Sequence, residues 1–384
     1  MSAFTPTELE QLLDRPIRQV LSAADRQAFA GRRVLITGAG GSIGSELARQ
    51  VAACGPDRLT LVDHSEHALF QIERELSSLL PSNRLDPVLA DVTRQPFVRQ
   101  AFRLARPHVV YHAAAYKHVT MSERAICAAA NANVLGTANV VTAARNVGAR
   151  FILISSDKAA APASVMGATK RLAEMLVMRE ASSTFRPAVV RFGNVLGSSG
   201  SLLTILRECI REGRPVPVTD PDATRYFMTA GEAVSLVMKV DLGGHGAETY
   251  WLDMGDPIRI GDLVDRMMAL EQGNGFAPVP VEVIGLRPGE KRQERLVEQG
   301  ISMTATHHPR IWVARQAAAD AAQVAKAVRG LRRAVARADS AASLAVLATA
   351  VPDFSPTGDA LALVRAQALA GESAPVGRSL ARAV

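Results

Sequence analysis

Long apolar runs are absent from this chain. Nowhere in its 384 residues do about 18 apolar side chains follow one another, and the N-terminus has no charged-then-apolar stretch ending in small residues. Neither a transmembrane span nor a secretory leader is expected, and the cytoplasm is the expected compartment. Cysteine is scarce. Cys54, Cys127 and Cys209 lack metal-ligand spacing and, being three, cannot all pair, which excludes a disulfide framework, fits a reducing compartment and leaves them as small core residues. No metal site is expected. Aromatic residues make up 4% of the chain, and no aromatic-rich RNA or DNA motif accompanies its basic residues.

The net charge of +7 is unevenly spread. Between 310 and 337, Arg310, Arg315, Lys326, Arg329, Arg332, Arg333 and Arg337 face Asp320 alone, so seven minus one leaves six of those charges in this stretch. An Ala-rich helical segment with Arg on its polar side reads as a solvated face, a subunit contact or a membrane-surface contact rather than a nucleic-acid reader. The remainder, with 48% hydrophobic and 21% charged residues overall, has the composition of a chain that buries one large or two smaller cores.

Thr5-Pro6 and Ser22 are helix-start signals within residues 1–30, which precede the main fold. From 31 to about 195, the apolar runs RRVLITG, RLTLVDHS, DPVLADV, HVVYHAAA, RFILISS and PAVVRFGN alternate with longer amphipathic segments. That pattern predicts a parallel sheet with crossover helices on both faces. Residues 196–315 are richer in Gly and Pro, with helices expected at about 230–240 and 260–272, and read as a smaller lobe. Residues 316–384 read as Ala-rich helix broken by VPDFSPTGDA, and no internal repeat is present.

In VLITGAGGSIGSEL a strand runs into Gly38-x-x-Gly41-x-x-Gly44 and then a helix, so that Gly38, Gly41, Ser42, Ile43 and Gly44 can bring backbone N–H groups to a pyrophosphate. A glycine triplet alone is a weak signal. Here Asp63 closes the next strand nineteen residues past Gly44, where an acid accepts from a ribose 2′-hydroxyl and repels a 2′-phosphate. No Arg or Lys follows in DHSEHAL, which favours NAD over NADP. Asp91 and Val92 are placed to meet the adenine, and Ala113, Ala114 and Ala115 leave room for a cofactor, although ordinary strand-end roles explain these five nearly as well.

Met166-x-x-x-Lys170 has the spacing at which many nicotinamide enzymes carry Tyr and Lys, and a thioether has no proton to exchange. The stretches TGAGGSIGSELARQ, LVDHSEHALFQIEREL, AAAYKHV, NVLGTANV, SSDKAAAPASVMGATKRLAE, RFGNVLGSSGS, DATRYFMTAGEAVSLV, WLDMGDPIRIGDL and GLRPGEKRQE together resemble one branch of the extended short-chain dehydrogenase/reductases. It is the polysaccharide-biosynthesis branch, which dehydrates nucleotide-activated N-acetylhexosamines, and the match runs from about residue 9 to 360. The resemblance implies an α/β fold with a Rossmann-type doubly wound parallel sheet and a smaller C-terminal substrate-binding lobe. Long members carry membrane helices ahead of this region; this chain lacks them and resembles a soluble, catalytic-domain-only form. A homo-oligomer is expected, paired through helices flanking the sheet, with the Arg-rich helices adding contacts.

The implied reaction is the 4,6-dehydration of UDP-GlcNAc or GDP-GlcNAc, and members with Met at the Tyr position remain active. By this resemblance Asp157 protonates the departing C6 hydroxyl, Lys158 takes the C5 proton, Lys170 grips the nicotinamide ribose and Met166 only packs. Lys158 then needs a depressed pKa, for which desolvation and Lys170 are the expected causes. The C4 hydroxyl proton has three candidate routes: Ser155, Ser156, or Asp157 directly. Lys117 is expected at the sugar, with Tyr116 and His118 beside it, and Asn194 at the diphosphate. Arg225, Arg287 and Glu290 are expected to hold phosphate, nucleotide and ribose. Ala161, Ser164, Arg124 and Thr204 stand where relatives show Asn, Asn, an acid and Pro, which bears on sugar preference and stereochemistry. A nucleotide-sugar 4-epimerase and a non-catalytic NAD sensor are the competing readings; the first needs no acid–base pair for C5 and C6, and the second predicts decayed substrate-side residues.

Overall fold

The computed structural model describes residues 4–372 apart from Gln19, Ser199, 244–245, Leu296, Gln299 and 315–318, with side chains described as far as 367. Residues 316–318 and 373–384 of the expected C-terminal helical region lie outside the described residues. The six apolar runs form six parallel strands: β1 (Arg33–Thr37), β2 (Arg58–Asp63), β3 (Leu85–Leu89), β4 (Val109–His112), β5 (Arg150–Ile154) and β6 (Ala188–Arg191). Their spatial order is β3-β2-β1-β4-β5-β6, the doubly wound Rossmann order. Because β1 sits between β2 and β4, the chain winds outward in both directions from β1, and a crevice opens at the carboxyl ends of β1 and β4.

Adjacent strand residues serve opposite cores, as the pleat requires. Val34 and Ile36 pack with Leu47, Leu61, Tyr111 and Val237, while Leu35 packs with Val110, Phe151 and Val189 on the other face. Three later strands extend the sheet beyond β6: Glu248–Leu252 runs parallel to it, then Ile311–Ala314 and Met303–Ala305 follow antiparallel. Residues 196–315 therefore divide their service. Helices Leu202–Arg211 and Ile260–Gly273 and the strand pair Val216–Val218 and Val281–Val283 surround a separate core of Leu203, Leu206, Ile210, Leu263 and Met267. Helix Ala230–Gly243 instead packs on helix Ser42–Ala52 against the main sheet.

Thr5 and Ser22 each cap a short helix with a reciprocal capping box, and Pro6 opens the first. These helices do not stand ahead of the fold: Leu12 and Leu13 complete the smaller core, and Phe29 enters the main one. Helices Ala321–Ala336 and Ser340–Ala350 lie on the segment Ile126–Asn146 and on helix Val165–Arg179, with Val324, Leu331 and Leu347 meeting Ile126, Val134 and Leu172. The chain's own C-terminal helices thus cover that face, while Lys326, Arg329, Arg332, Arg333 and Arg337 face outward. Ile126–Asn146 is, among the described residues, long and apolar enough to cross a membrane, and 72% of its apolar window is buried inside this packing.

Leu347 is completely buried in that contact. Leu347→Ala is expected to lower stability by about 2–5 kcal/mol, read as a lower urea midpoint at unchanged slope.

Candidate active site

After Thr37 the chain turns at Gly38, whose φ is +68° and where a Cβ would lie 2.7 Å from the backbone of Ala114. A Cβ on Gly44 would lie 1.9 Å from the Gly38 carbonyl oxygen. Only glycine lets this turn press against the end of β4 and start helix Ser42–Ala52 at once, with Gly41 as its N-cap and its first N–H groups directed at the crevice. Asp63 is fixed to the same turn: one carboxylate oxygen accepts from the Gly40 N–H at 2.9 Å and the other from the Ser65 N–H at 2.9 Å. Ile43 packs on the main core, Asp91 accepts from the Thr93 N–H, and Val92 packs against Gly136. Ala113 donates its N–H to the Thr37 carbonyl, and Ala114 and Ala115 are half-buried beside it. All these residues meet at the carboxyl ends of β1 to β4, and the cradle fits a dinucleotide.

Ser155 and Ser156 continue β5 in extended form, and a single 3-10 turn, Asp157–Ala159, follows. A strand would send Asp157 and Lys158 to opposite faces; the turn puts them side by side, with Lys158 Nζ 3.1 Å from Asp157 Oδ1. Ser156 donates its hydroxyl to the same Oδ1 at 2.9 Å. Asp157 has no exposed surface, and its Oδ2 has no hydrogen-bond partner among the described residues. Ser156 is half-buried and also accepts from the Lys158 N–H at 3.3 Å. Ser155 is turned away from the site: its hydroxyl donates to Glu174 Oε1 at 2.6 Å.

Lys170 lies on helix Val165–Arg179, which Ser164 caps by accepting from the Gly167 N–H, so the Ser that replaces the usual Asn keeps the cap. Its ammonium donates to the Ile154 carbonyl at 2.6 Å, and burial pulls it down to about 8 against the opposing pull of Glu174. Met166, on the same helix, is 3% exposed and packs as expected of a thioether. Lys158 departs from expectation. Burial disfavours its ammonium, but the carboxylates of Asp157 and Glu294 outweigh that and hold it above the ordinary lysine range; Arg225 is the cation that opposes them. Lys158 Nζ also donates to Asn194 Oδ1 at 3.3 Å, which brings Asn194 to the Asp157–Lys158 pair.

On the substrate side, Lys117 donates to Ser198 at 3.3 Å and so ties the turn after β4 to the turn after Asn194. His118 packs against Gly200, and Tyr116 is exposed. Arg225 does not present a free fork. Its guanidinium donates to the carbonyls of Thr224, Arg292 and Lys291 at 2.8, 3.0 and 2.6 Å, which makes it a brace for the RPGEK segment. That segment reaches the site because Gly289, with φ +81°, presses against Ser164 and Ala163. Arg287 is exposed at its start, and Glu290 accepts from the Arg287 N–H. Further along, Lys291 donates to the Ala161 carbonyl and pairs with Glu294.

Several residues were not singled out in the sequence. Asn133, on a π-helical turn Asn131–Gly136, accepts from the Tyr116 N–H at 2.7 Å and donates to the Tyr116 carbonyl and Thr169, which fixes the turn after β4 to the helix of Lys170. Glu174 and Arg191 form a bidentate pair at 2.7 and 2.5 Å beneath the site, and Arg191 also binds Glu298. The only signal for these was a polar residue inside an otherwise apolar helix or strand.

The polysaccharide biosynthesis protein family matches residues 34–316. The capsular polysaccharide biosynthesis protein CapD of Staphylococcus aureus is 41% identical over 297 residues, which cover 76% of this chain and 49% of CapD. The probable polysaccharide biosynthesis protein EpsC of Bacillus subtilis is 43% identical, again over 76% of this chain and 49% of EpsC, so the chain spans about half the length of these relatives. A UDP-N-acetylglucosamine 4,6-dehydratase (inverting) of Campylobacter jejuni and a UDP-glucose 4-epimerase of Rickettsia rickettsii are 28% and 29% identical, each over 70% of this chain and 78% of the relative. The X-ray structure of Pen from Bacillus thuringiensis superposes with a TM-score of 0.68 at 30% identity, covering 74% of this chain and 88% of Pen. With its Rossmann sheet, its glycine turn and this match, the chain belongs to the polysaccharide biosynthesis protein family of extended short-chain dehydrogenase/reductases.

Proposed function

We propose that this chain is a cytoplasmic, NAD-dependent 4,6-dehydratase of nucleotide-activated N-acetylhexosamines, acting on UDP-GlcNAc in preference to GDP-GlcNAc. The observation that carries the reading is the contact of Asp157 with both Ser156 and Lys158 at one strand end, beside a Met166 that holds no proton. A 4-epimerase and a 4,6-dehydratase both need a base at the C4 hydroxyl, which Ser156 and Asp157 would supply in place of the missing Tyr; what favours dehydration is the adjacent Asp157 and Lys158, since elimination across C5 and C6 needs an acid and a base of its own. The near-equal identities to a dehydratase and an epimerase do not separate the two, so the reading rests on the site chemistry.

Gly38 to Gly44 would hold the NAD pyrophosphate, Asp63 its adenosine ribose and Lys170 its nicotinamide ribose, with Asp91, Val92 and Ala113 to Ala115 lining the cradle. Bound there, NAD supplies redox chemistry that takes the C4 hydrogen and restores it at C6, so the overall reaction is redox-neutral. The chain's own work is proton transfer. Ser156 relays the C4 hydroxyl proton inward to Asp157, whose carboxylate has no surface of its own. The same relay then carries that proton from Asp157 back through Ser156 to the C6 hydroxyl, which leaves as water. Lys158 takes the C5 proton, acidified by the ketone at C4, and its ammonium, which exchanges with solvent, gives a proton back to C5 at the end. The proton from O4 thus departs on O6, C5 regains a proton, and both side chains finish as they began. Lys117, Asn194, Arg287 and Glu290 would hold the sugar, diphosphate and nucleotide, with Arg225 bracing the segment that carries the last two.

Asp63→Ala is expected to weaken NAD binding and relax the bias against NADP; denaturing the purified wild-type protein should release mainly NAD, and a preponderance of NADP contradicts the cofactor assignment. Lys158→Ala with UDP-GlcNAc should oxidise C4 and stall, seen as near-ultraviolet absorbance that persists without 6-deoxy product. Met166→Leu conserves volume and removes no titrating group, so most activity should remain. Normal turnover by Lys158→Ala, together with an inactive Met166→Leu, would reverse these roles.

A further inference from the structure

The cycle above requires Lys158 to be neutral when it meets the C5 proton, yet its surroundings favour the ammonium. The groups facing it come from three elements. Asp157 lies on its own turn, Glu294 three residues past RPGEK with Oε1 3.9 Å from Nζ, and Arg225 on the short strand Thr224–Arg225. Asn194 is the neutral fourth neighbour. The Glu294 side chain is 4% exposed, and its other oxygen is held 3.4 Å from Lys291 Nζ, which is itself anchored on the Ala161 carbonyl. A buried carboxylate fixed so close to the base of the reaction has a consequence beyond holding the segment down.

We propose that Glu294 is a positioning residue that governs when Lys158 carries a proton, acting on it from the segment that closes over the site. This deepens the dehydratase reading and rests on it. Once Asp157 has taken the O4 proton it is neutral, and its hold on Lys158 lapses. Glu294 is then the one carboxylate that still faces Lys158 among the described residues, and it receives the ammonium formed as the C5 proton moves from carbon to Nζ. The same charge that strengthens Lys158 as a base also raises the pH at which it becomes available. Lys291 opposes this by drawing on the other oxygen of Glu294.

The test is the pH dependence of solvent deuterium entering C5 of enzyme-bound UDP-GlcNAc, read by mass and NMR. In the wild type, exchange rises with pH to a plateau as Lys158 loses its resting proton. Glu294→Gln should move the midpoint down by about one pH unit and lower the plateau, since a unit charge close to the base has been removed. Glu294→Asp should restore most of the wild-type midpoint. Lys291→Met, which removes the competing cation, should move the midpoint up, and it supplies the test if Glu294→Gln does not fold. A lowered plateau with an unmoved midpoint in Glu294→Gln, or an unmoved midpoint in Lys291→Met, overturns the inference and leaves Glu294 structural. A wild type that forms no keto-deoxy product and exchanges nothing at C5 overturns the dehydratase reading itself.

Discussion

A guanidinium with no exposed surface lies under the reactive strand ends, and the site depends on it. Arg191, at the end of β6, is enclosed by Glu174 and Glu298 and stacks over Trp251 with its Cζ 4.9 Å from the ring centroid. Glu174 belongs to the helix of Lys170 and also accepts from Ser155, whereas Glu298 belongs to the segment that follows RPGEK. One buried charge therefore ties together the end of β5, the end of β6, the lysine helix and the closing segment. Removing one member of such a pair costs about 3–5 kcal/mol, because the partner is left charged and dry. The arrangement leaves Ser156 as the hydroxyl at the strand end that is not committed to this cluster, and that is why the proposed proton route runs through it.

Much of the architecture was legible because its causes are local. A strand buried on both faces must be apolar throughout, so RRVLITG and RFILISS announced themselves, and Thr5 and Ser22 marked their helices by the capping chemistry they perform. The glycine turn was legible for the same reason: a Cβ at Gly38 or Gly44 has nowhere to go. Asp157 and Lys158 were found from their place at a strand end and from resemblance, and the 3-10 turn supplied the condition that let both face one way.

What the sequence hid depends on contacts between distant segments. Arg225 has the chemistry of a phosphate fork, and nothing in DATRYF tells that residues 291 and 292 supply carbonyls to it from some 66 positions away. The expectation of a depressed Lys158 failed because the 3-10 turn sets the Asp157 carboxylate against its ammonium and because Glu294, 136 residues further on (294 minus 158), adds a carboxylate that the local sequence does not contain. The helices that cover Ile126–Asn146 and Val165–Arg179 lie about 200 residues later, as the approach of Cys127 to Ser340 shows, and no local pattern foretells that contact.

The account's central claim is that the hydrogen leaving C4 and the hydrogen arriving at C6 are the same one, with the protons handled by Ser156, Asp157 and Lys158. UDP-GlcNAc carrying deuterium at C4 tests it most directly. The account predicts a 4-keto-6-deoxy product with that deuterium on C6 and a solvent-derived hydrogen at C5. Recovery of the 4-epimer with its label still at C4 and all its C6 oxygen would contradict it.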